Sequence, residues 1–329
     1  MGPTALRALR LLADGRFHSG TEIARELGRS RAAVCDALQG ARQSGIEIHS
    51  VPGRGYRLPH PVDFLDARRI NARLAASGCR SRVAVLEETD STSTQLAALA
   101  ATGAASGTAI AAEWQSAGRG RRGRAWRSSI GGSLTFSVLW RFERGPGHLA
   151  GLPLALAASV AQALEAAGCA GIGLKWPNDL VAHWRKLGGI LVETTGEMQG
   201  PTAAVVGIGL NYRLSESLMR HIDQPVIDLA ECSSPLAPRN ELLAALVASV
   251  EDTCSRFERA GFAGFRDAWR ARHAYAGERV SIQEGEQPPR IATVVDVADD
   301  GALLVSFGGA ARRITSAEVS LRPARARTA

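Results

Sequence analysis

The strongest chemical signal in this chain is a glycine-rich segment that carries four arginines. Residues 118–124 read Gly-Arg-Gly-Arg-Arg-Gly-Arg and are followed closely by Trp126. The segment contains the G-x-G-x-x-G spacing of dinucleotide-binding loops, with Glu143 near the distance of a ribose-binding acid. We reject that interpretation, because loop-forming serines and glycines follow where a helix should begin, and long cations fill positions that need small residues. The pattern instead predicts a flexible clamp whose guanidinium groups neutralise phosphate or carboxylate oxygens.

The only lysines of the chain, Lys175 and Lys186, lie close together in a second motif. Residues 175–179 read Lys-Trp-Pro-Asn-Asp, and residues 185–189 read Arg-Lys-Leu-Gly-Gly. Every other basic side chain is arginine, so a site that keeps lysine needs a compact ammonium rather than a planar guanidinium. We predict a strand that ends in a turn at 176–179 and a second strand that begins at the bend 186–189. Lys186 would lie near the base of this hairpin, within reach of a reacting centre.

A third candidate segment is Asp90-Ser91-Thr92-Ser93, which follows a predicted strand and begins a predicted helix. Hydroxyl groups and free backbone N–H groups at a helix start can hold a polar ligand group. Helix capping alone would also explain Ser91.

Composition excludes several classes of protein. The chain has 329 residues, of which 45% are hydrophobic and 22% charged, with a net charge of +7 that permits nucleic acid or phosphate partners. The five cysteines are scattered without a C-x-x-C pair, and no H-E-x-x-H is present, so neither a zinc site nor a disulfide framework is expected. No apolar run reaches the length of a membrane span, and Arg7 and Arg10 interrupt the N-terminal leucines. These features predict a cytoplasmic protein that does not enter a membrane.

The N-terminal residues, 1–62, are predicted to form a winged helix-turn-helix domain that binds DNA. Thr4 can cap a first helix, Ser19 and Glu22 form a capping box for a second, and Ser30 can cap a third after a tight turn. Alternating apolar residues around a turn at 52–55 then predict a β-hairpin wing. The candidate DNA contacts are Arg29, Ser30, Arg31, Gln39, Arg42 and Arg54. A helical appendage with a solvated basic face is the alternative.

The rest of the chain is predicted to be α+β. Pro59, Pro61 and the stretch after them read as a linker. Alternating strand and helix patterns over 63–274 predict a central domain built on one mixed sheet, and short strands over 275–324 predict a small SH3-like β-barrel. Residues 325–329 are predicted to be a disordered tail.

Taken together, these motifs resemble the family of bifunctional biotin–protein ligases and biotin operon repressors. The resemblance covers nearly the whole chain, and the pairing of the arginine loop with Lys-Trp-Pro-Asn-Asp is specific to it. The matching segments, in the family's order, are 30–34, 51–56, 90–92, 113–115, 118–124, 175–179, 185–190 and 207–211. The resemblance implies a central domain of the biotin/lipoate ligase type.

The resemblance also implies a reaction in two steps. The carboxylate of biotin attacks the α-phosphate of ATP to give biotinyl-adenylate and pyrophosphate, and a lysine of the biotin carboxyl carrier protein of acetyl-CoA carboxylase then takes the biotin and releases AMP. An anionic nucleophile approaches an anionic phosphate only where fixed cations offset the repulsion. The residues implied as catalytic are Lys186 and Arg121. The residues implied to bind biotin are Ser91, Thr92, Ser93, Gln115, Arg119, Gly120, Arg121 and Lys186. The residues implied to bind ATP and the adenylate are Arg121, Arg124, Trp126, Lys175, Asn178, Asp179 and Asn211.

The implied partners follow from the same resemblance. Mg²⁺ would arrive with the triphosphate rather than on dedicated ligands, although Asp179 could contact either the metal or the incoming lysine. Biotinyl-adenylate would promote a homodimer, and this dimer would bind the biotin operator and repress the biotin biosynthesis operon.

Some positions depart from the family pattern, and other functions stay open. Ser93 stands where asparagine is commoner, Ser133 stands where larger residues are usual, and Asp36 and Gly40 are atypical of a recognition helix. The alternatives are a ligase whose winged helix is structural and does not repress, and a ligand-sensing transcription factor with an inactive catalytic domain. A lipoate ligase is disfavoured by the arginine loop. For that loop itself, the alternatives are a solvated surface loop and an RNA-binding patch.

Overall fold

The computed structural model describes residues 2–197, 200–284, 288–315 and 319–323. At the N-terminus, three helices are followed by a two-stranded hairpin, as predicted. Their bounds are α1 Pro3–Leu11, α2 Gly20–Leu27, α3 Arg31–Gln43, β1 His49–Val51 and β2 Gly55–Arg57. The capping box between Ser19 and Glu22 is confirmed, and the Ser30 hydroxyl accepts the N–H of Ala33 at the start of α3. The predicted cap at Thr4 is wrong, because α1 begins at Pro3, and proline is favoured in the first turn of a helix.

The central region is a seven-stranded mixed sheet with helices packed on it. Its helices are α4 Ala67–Ala76, α5 Thr92–Ala101, α6 Leu152–Ala166, α7 Glu216–Met219, α8 Leu229–Cys232, α9 Arg239–Ala260 and α10 Arg266–Arg270. Its strands are β3 Arg82–Thr89, β4 Thr108–Gln115, β5 Ser133–Phe142, β6 Ile172–Lys175, β7 Asp179–Ala182, β8 Arg185–Gly196 and β9 Thr202–Asn211. The strand order is β3-β4-β5-β9-β8-β7-β6, with β3 and β4 parallel and the other neighbours antiparallel. The predicted mixed sheet is therefore confirmed.

Two local predictions in this region are wrong. The segment after Pro61 contains α4 rather than a continuous linker, because the Asp66 carboxylate caps the helix and Ile70 and Leu74 are buried in the core. The second motif is not one hairpin: β7 lies between the two predicted strands, and Lys186 belongs to β8 instead of a bend. The continuous apolar run 180–182 is too short to predict a strand of its own.

Within the described residues, the segment 146–166 is long and apolar enough to meet a length-and-composition test for a membrane span. It contains α6, which packs between the sheet and α9. Leu152, Leu156 and Val160 are completely buried there. A core helix with apolar residues all round has this composition for reasons of packing alone.

The C-terminal strands form a separate antiparallel sheet, where an SH3-like barrel is predicted. The strands are β10 Arg279–Glu284, β11 Arg290–Val297, β12 Leu303–Ser306, β13 Ala311–Ile314 and β14 Val319–Pro323, in the order β13-β12-β11-β10-β14. The sheet contacts the central domain at the Lys-Trp-Pro-Asn-Asp segment, where Trp176 donates its indole N–H to Gly301 O at 2.9 Å. The predicted disordered tail, 325–329, lies outside the described residues. The domain boundaries themselves stay a prediction.

Candidate functional site

The three predicted chemical motifs converge on one cleft over the central sheet. The cleft encloses about 1100 Å³, including the part that is open to solvent. It lies between the start of α5, the arginine loop and the facing strands β7, β8 and β9. The predicted residues that line it are Ser91, Thr92, Ser93, Gln115, Arg119, Gly120, Arg121, Arg124, Trp126, Lys175, Asn178, Asp179 and Lys186.

The arginine loop folds back on itself and covers one side of the cleft. Trp126 donates its backbone N–H to Gly118 O at 2.8 Å, and Gly120 donates to Arg124 O at 2.7 Å. At its tip Arg122 has a φ of 58°, in the left-handed region that non-glycine residues seldom adopt. The loop is thus a compact flap closed by backbone hydrogen bonds, rather than the helix start that a dinucleotide-binding motif requires.

Two arginines of the flap reach across the cleft. Arg119 donates to Glu193 on β8 at 2.7 Å, and Arg121 donates to the Asn178 side-chain oxygen at 3.2 Å. Burial, together with the neighbouring positive charges of Arg122 and Arg124, lowers the pKa of Arg121 from its ordinary value. An arginine held among other cations in a partly buried position favours an anion as its ligand.

The ammonium of Lys186 lies at the centre of the cleft, where it forms an ion pair with Asp179 at 2.8 Å. Both side chains are about one-fifth exposed, so the pair is accessible from the cleft. Gly189, three residues after Lys186 on β8, lies against this pair. A Cβ added to it would be 3.4 Å from Asp179 Oδ1 and 3.4 Å from Lys186 Nζ. The Trp126 ring lies close by, with its centroid 6.0 Å from the Lys186 Nζ. An anionic ligand group in the cleft can therefore replace or share the Asp179 carboxylate as the partner of the ammonium.

Hydroxyl and amide groups form the closed end of the cleft. Gln115 Oε1 accepts the backbone N–H of Thr92 at 2.8 Å and its hydroxyl at 3.2 Å. The Ser137 hydroxyl, on β5, lies 2.8 Å from that of Thr92 and 3.0 Å from that of Ser93. The Ser91 hydroxyl makes no capping hydrogen bond, so capping does not account for this residue. Sequence reasoning missed Ser137, whose only signal is an inward position on a buried strand.

The floor of the cleft depends on glycines of β9. A Cβ on Gly209 would lie 2.4 Å from the indole ring of Trp126, and a Cβ on Gly207 would lie 2.5 Å from the Ser93 hydroxyl. Only a strand without side chains at these positions lets the two groups pack against the sheet. Sequence reasoning matched the segment 207–211 to the family but gave these glycines no role.

We therefore expect Gly209→Ala to weaken ligand binding in the cleft by about 10-fold to 100-fold, because Trp126 must move away from the sheet. Equilibrium binding of biotin and of ATP would measure the effect. Gly309→Ala is the matched control, since nothing lies within 4 Å of a Cβ at that position. Unchanged binding by the Gly209 variant would show that the position of the indole ring does not matter.

Two predicted residues have partners within the protein. Asn211 is buried beneath the cleft, and its side-chain amide donates to the backbone oxygens of Lys186 and Ile227 at 3.1 and 3.0 Å. It does not line the cleft, so its predicted contact with the nucleotide stays a prediction, and its observed contacts position the Lys186 backbone. Lys175 lies at the edge of the cleft, 5.4 Å from the ring centroid of Tyr275.

A buried ion pair supports the strand that carries Gln115. Arg239, at the start of α9, donates to Glu113 at 2.9 Å, to Asp63 O at 3.0 Å and to Ser133 O at 2.9 Å. The second carboxylate oxygen of Glu113 accepts the N–H of Leu65. Both charged side chains are at most 1% exposed. Sequence reasoning missed this pair because nothing in the sequence relates its two members across 126 residues.

The predicted DNA contacts lie on the surface of the N-terminal domain, along α3 and the wing. Arg29, Ser30, Arg31, Gln39 and Arg54 are all exposed. The guanidinium of Arg54 stacks on the Phe17 ring at 4.3 Å. Arg42 is different, because its guanidinium donates twice to Ile48 O, at 3.1 and 2.9 Å. That side chain ties the recognition helix to the wing, and its contact with DNA stays a prediction.

Comparison with known proteins relates both parts of the chain to characterised families. Residues 85–211 match the Biotin/lipoate A/B protein ligase family, and residues 4–57 match an HTH domain. The Bifunctional ligase/repressor BirA of Salmonella typhimurium is 38% identical over 97% of this chain and 98% of its own length. The BirA protein of Escherichia coli is 37% identical over 97% of both chains. The structure of the biotin protein ligase from Aquifex aeolicus in complex with biotin and ATP is 30% identical, covers 74% of this chain and 99% of its own, and has a TM-score of 0.64.

Proposed function

Because this chain belongs to the biotin–protein ligase family, we propose that its cleft activates biotin with ATP and transfers it to a lysine of a carrier protein. The chain is a bifunctional ligase and repressor, with the ligase in the central domain and a DNA-binding domain before it. The observation that carries the assignment of the active site is the Lys186 ammonium, which lies in a cleft whose flap supplies Arg119, Arg121 and Arg124.

The residues of the cleft account for the first step of the reaction. The closed end, with Ser93 and Gln115, receives the ring system of biotin, so that its carboxylate extends toward Lys186. Lys186 holds the carboxylate beside the α-phosphate, and Arg121 neutralises the charge that develops there. Closure of the flap then excludes water, which would otherwise hydrolyse the mixed anhydride.

The other side of the cleft receives the nucleotide. Trp126 offers a ring face over Gly209, and Lys175, Asn178 and Asp179 line the side where the leaving pyrophosphate would lie. Among the described residues no three His, Cys, Asp or Glu side chains cluster as a metal site. We propose that Mg²⁺ is carried by the triphosphate, with Asp179 as its protein contact, and that it supplies charge neutralisation.

In the second step, a lysine of the biotin carboxyl carrier protein attacks the carbonyl of the bound adenylate and releases AMP. The direct test of the whole assignment is native mass spectrometry of the purified protein after incubation with biotin and Mg-ATP. We expect a species heavier by the mass of biotinyl-adenylate. Lipoate in place of biotin is the control, and a lipoyl-adenylate species, or no adenylate at all, would contradict the proposal.

The match of residues 4–57 to an HTH domain supports binding to a DNA operator. We propose that biotinyl-adenylate promotes a homodimer and that this dimer binds the operator of the biotin biosynthesis genes. We also propose that the protein acts in the cytoplasm and that its domains follow the boundaries 1–62, 63–274 and 275–324. A mobility-shift assay on that promoter, with and without biotin plus ATP, tests the repressor role, and the absence of a shift that depends on biotin plus ATP would contradict it.

We expect Arg31→Ala to weaken DNA binding about tenfold, whatever the DNA sequence. The number of counterions released on binding, which sets the salt dependence, should fall by about one. Arg31 is exposed at the first position of α3, and a basic side chain there can contact a phosphate of the DNA backbone beside the groove that the helix enters. Titrations at several salt concentrations would measure both effects. Arg259→Ala, an equal change of charge on α9, is the control, and identical behaviour of the two variants would remove Arg31 from the DNA interface.

A further inference from the structure

Four buried side chains at the closed end of the cleft form one continuous chain of hydrogen bonds. Ser93 contacts Ser137 at 3.0 Å, Ser137 contacts Thr92 at 2.8 Å, and Thr92 contacts Gln115 at 3.2 Å, each between side-chain oxygens. All four residues are less than a tenth exposed, and Ser137 is completely buried. Because the four groups are buried and bonded to one another, the direction of each hydrogen bond follows from which of their atoms can only accept.

The distribution of hydrogens has a single direction. The backbone N–H of Thr92 donates to Gln115 at 2.8 Å, which identifies the contacted atom of the amide as its oxygen. That oxygen can only accept, so the hydroxyl of Thr92 gives it its one hydrogen. Thr92 must then accept from Ser137, and Ser137, having used its own hydrogen, must accept from Ser93. The donors therefore run from Ser93 through Ser137 and Thr92 to Gln115.

This direction fixes what the cleft presents to a ligand. The hydrogen of Ser93 points away from the ligand toward Ser137, so the Ser93 oxygen offers only lone pairs. At the other end of the chain, the amide nitrogen of Gln115 keeps its two hydrogens and lies 3.0 Å from a Cβ position on Gly118, at the flap. Both ends of this chain line the cleft, and an acceptor at Ser93 with a donor at Gln115 is complementary to a ring edge that bears an N–H beside a C=O.

We propose that Ser137 is a specificity-determining residue that acts through Ser93, by committing Ser93 to accept an N–H of the ligand's cyclic urea. The urea carbonyl then accepts from the side-chain nitrogen of Gln115. This inference rests on the proposed function, because it takes the ring system of biotin to occupy the closed end. Ser137 does not touch the ligand, and its effect is exerted through the polarity of the Ser93 hydroxyl.

The position of Ser93 against the sheet supports this role. Its hydroxyl lies where a Cβ on Gly207 would come within 2.5 Å, so the side chain is confined between α5 and the bare backbone of β9. A confined hydroxyl cannot turn freely to donate to one ligand and accept from another. Because Ser93 already donates its hydrogen to Ser137, its oxygen can only accept a hydrogen bond, and this holds before any ligand binds.

The test compares biotin with two carbamate analogues, each of which has one ureido N–H replaced by a ring oxygen of similar size. Calorimetric titration of the full-length protein would give the affinities. We expect the wild type to bind one of the two analogues at least about 100-fold more weakly than biotin, because a lone pair would face the lone pairs of Ser93. In Ser137→Ala, the Ser93 hydroxyl loses its acceptor and can turn to donate to the ligand. Biotin should then bind about tenfold more weakly than it does to the wild type. The analogue that the wild type discriminates against should bind less than about tenfold more weakly than biotin.

Two further variants complete the test. Ser93→Ala should also abolish the discrimination, with Ser137 still present. Thr253→Val removes an equally buried hydroxyl far from the cleft, which donates to Ser249 O at 2.7 Å, and should leave the discrimination unchanged. If the wild type binds both analogues as tightly as biotin, or if Ser137→Ala keeps the discrimination, the inference is wrong while the ligase assignment stands. Failure of the wild type to bind biotin would instead overturn the proposed function.

Discussion

Lys186→Ala is expected to slow the formation of biotinyl-adenylate by about 10³-fold, the effect of removing one preorganised charge from a transition state. The Lys186 ammonium is the charge at the centre of the cleft, 2.8 Å from Asp179 and beside the ring of Trp126. Without it, the biotin carboxylate meets both the phosphate and an uncompensated Asp179. Biotin-dependent exchange of pyrophosphate into ATP would measure the rate of this step.

Asp179 provides the control that separates catalysis from simple repulsion. In Lys186→Ala the Asp179 carboxylate stays in the cleft without its cation, and this alone would weaken the binding of two anionic substrates. The double variant Lys186→Ala/Asp179→Asn removes that repulsion, and Asp179→Asn alone measures how much of the rate depends on the proposed contact of Asp179 with Mg²⁺. We expect the double variant to regain less than about tenfold of the lost rate, since the ammonium itself is still missing. A double variant close to the wild type, or a single variant with near-normal exchange, would show that Lys186 does not assist the chemistry.

The sequence predicts those parts of the site whose residues lie close together in the chain and whose residue types indicate the chemistry. The arginine flap, the Lys-Trp-Pro-Asn-Asp segment and the hydroxyl run after β3 are each contiguous in the chain. Each lies at the end of a strand: the parallel strands β3 and β4 end at one edge of the sheet, whereas β6 runs the opposite way and ends where Lys175 pairs with Asp179, which in turn pairs with Gly189. The cleft could therefore be predicted as a set of residues before any distance was known.

The parts that could not be predicted depend on register between strands. Ser137 reaches Thr92 and Ser93 only because β5 pairs with β9 so that Ser137 lies opposite Gly207. A shift of one residue would turn that hydroxyl to the other face of the sheet. The alternation of residues along β5 identifies the two faces but not the neighbours across the sheet, so the role of Ser137 and of the β9 glycines stays hidden in the sequence.

The helices show the same difference between local signals, which can be predicted, and long-range contacts, which cannot. Capping signals located α2 and α3, because a capping residue acts on backbone groups within its own helix turn. In contrast, α4 begins shortly after Pro59 and Pro61, and these two breakers favour a linker over a helix at this point of the sequence. Its stability comes from Ile70 and Leu74, which pack into a core assembled from distant parts of the chain.

The ion pair between Arg239 and Glu113 depends most strongly on such long-range assembly, and it leads to the second large expected effect. Taking two charges out of water is costly, and the pair is tolerated because Arg239 also satisfies the oxygens of Asp63 and Ser133. Breaking the pair leaves a carboxylate that is both buried and unpaired. The loss should therefore exceed by far that of a surface ion pair of similar length.

Arg239→Met is expected to lower the free energy of unfolding by about 3–5 kcal/mol, as measured by urea denaturation at neutral pH. Arg256→Met is the matched control on the same helix, because its ion pair with Asp252 at 3.3 Å is more than half exposed, and it should cost less than about 1 kcal/mol. Adding Glu113→Gln to Arg239→Met should restore part of the loss, since the amide oxygen still accepts the N–H of Leu65 while the unpaired charge is gone. If the double variant is less stable than Arg239→Met, the cost lies in the lost hydrogen bonds to Asp63 and Ser133 rather than in the buried charge.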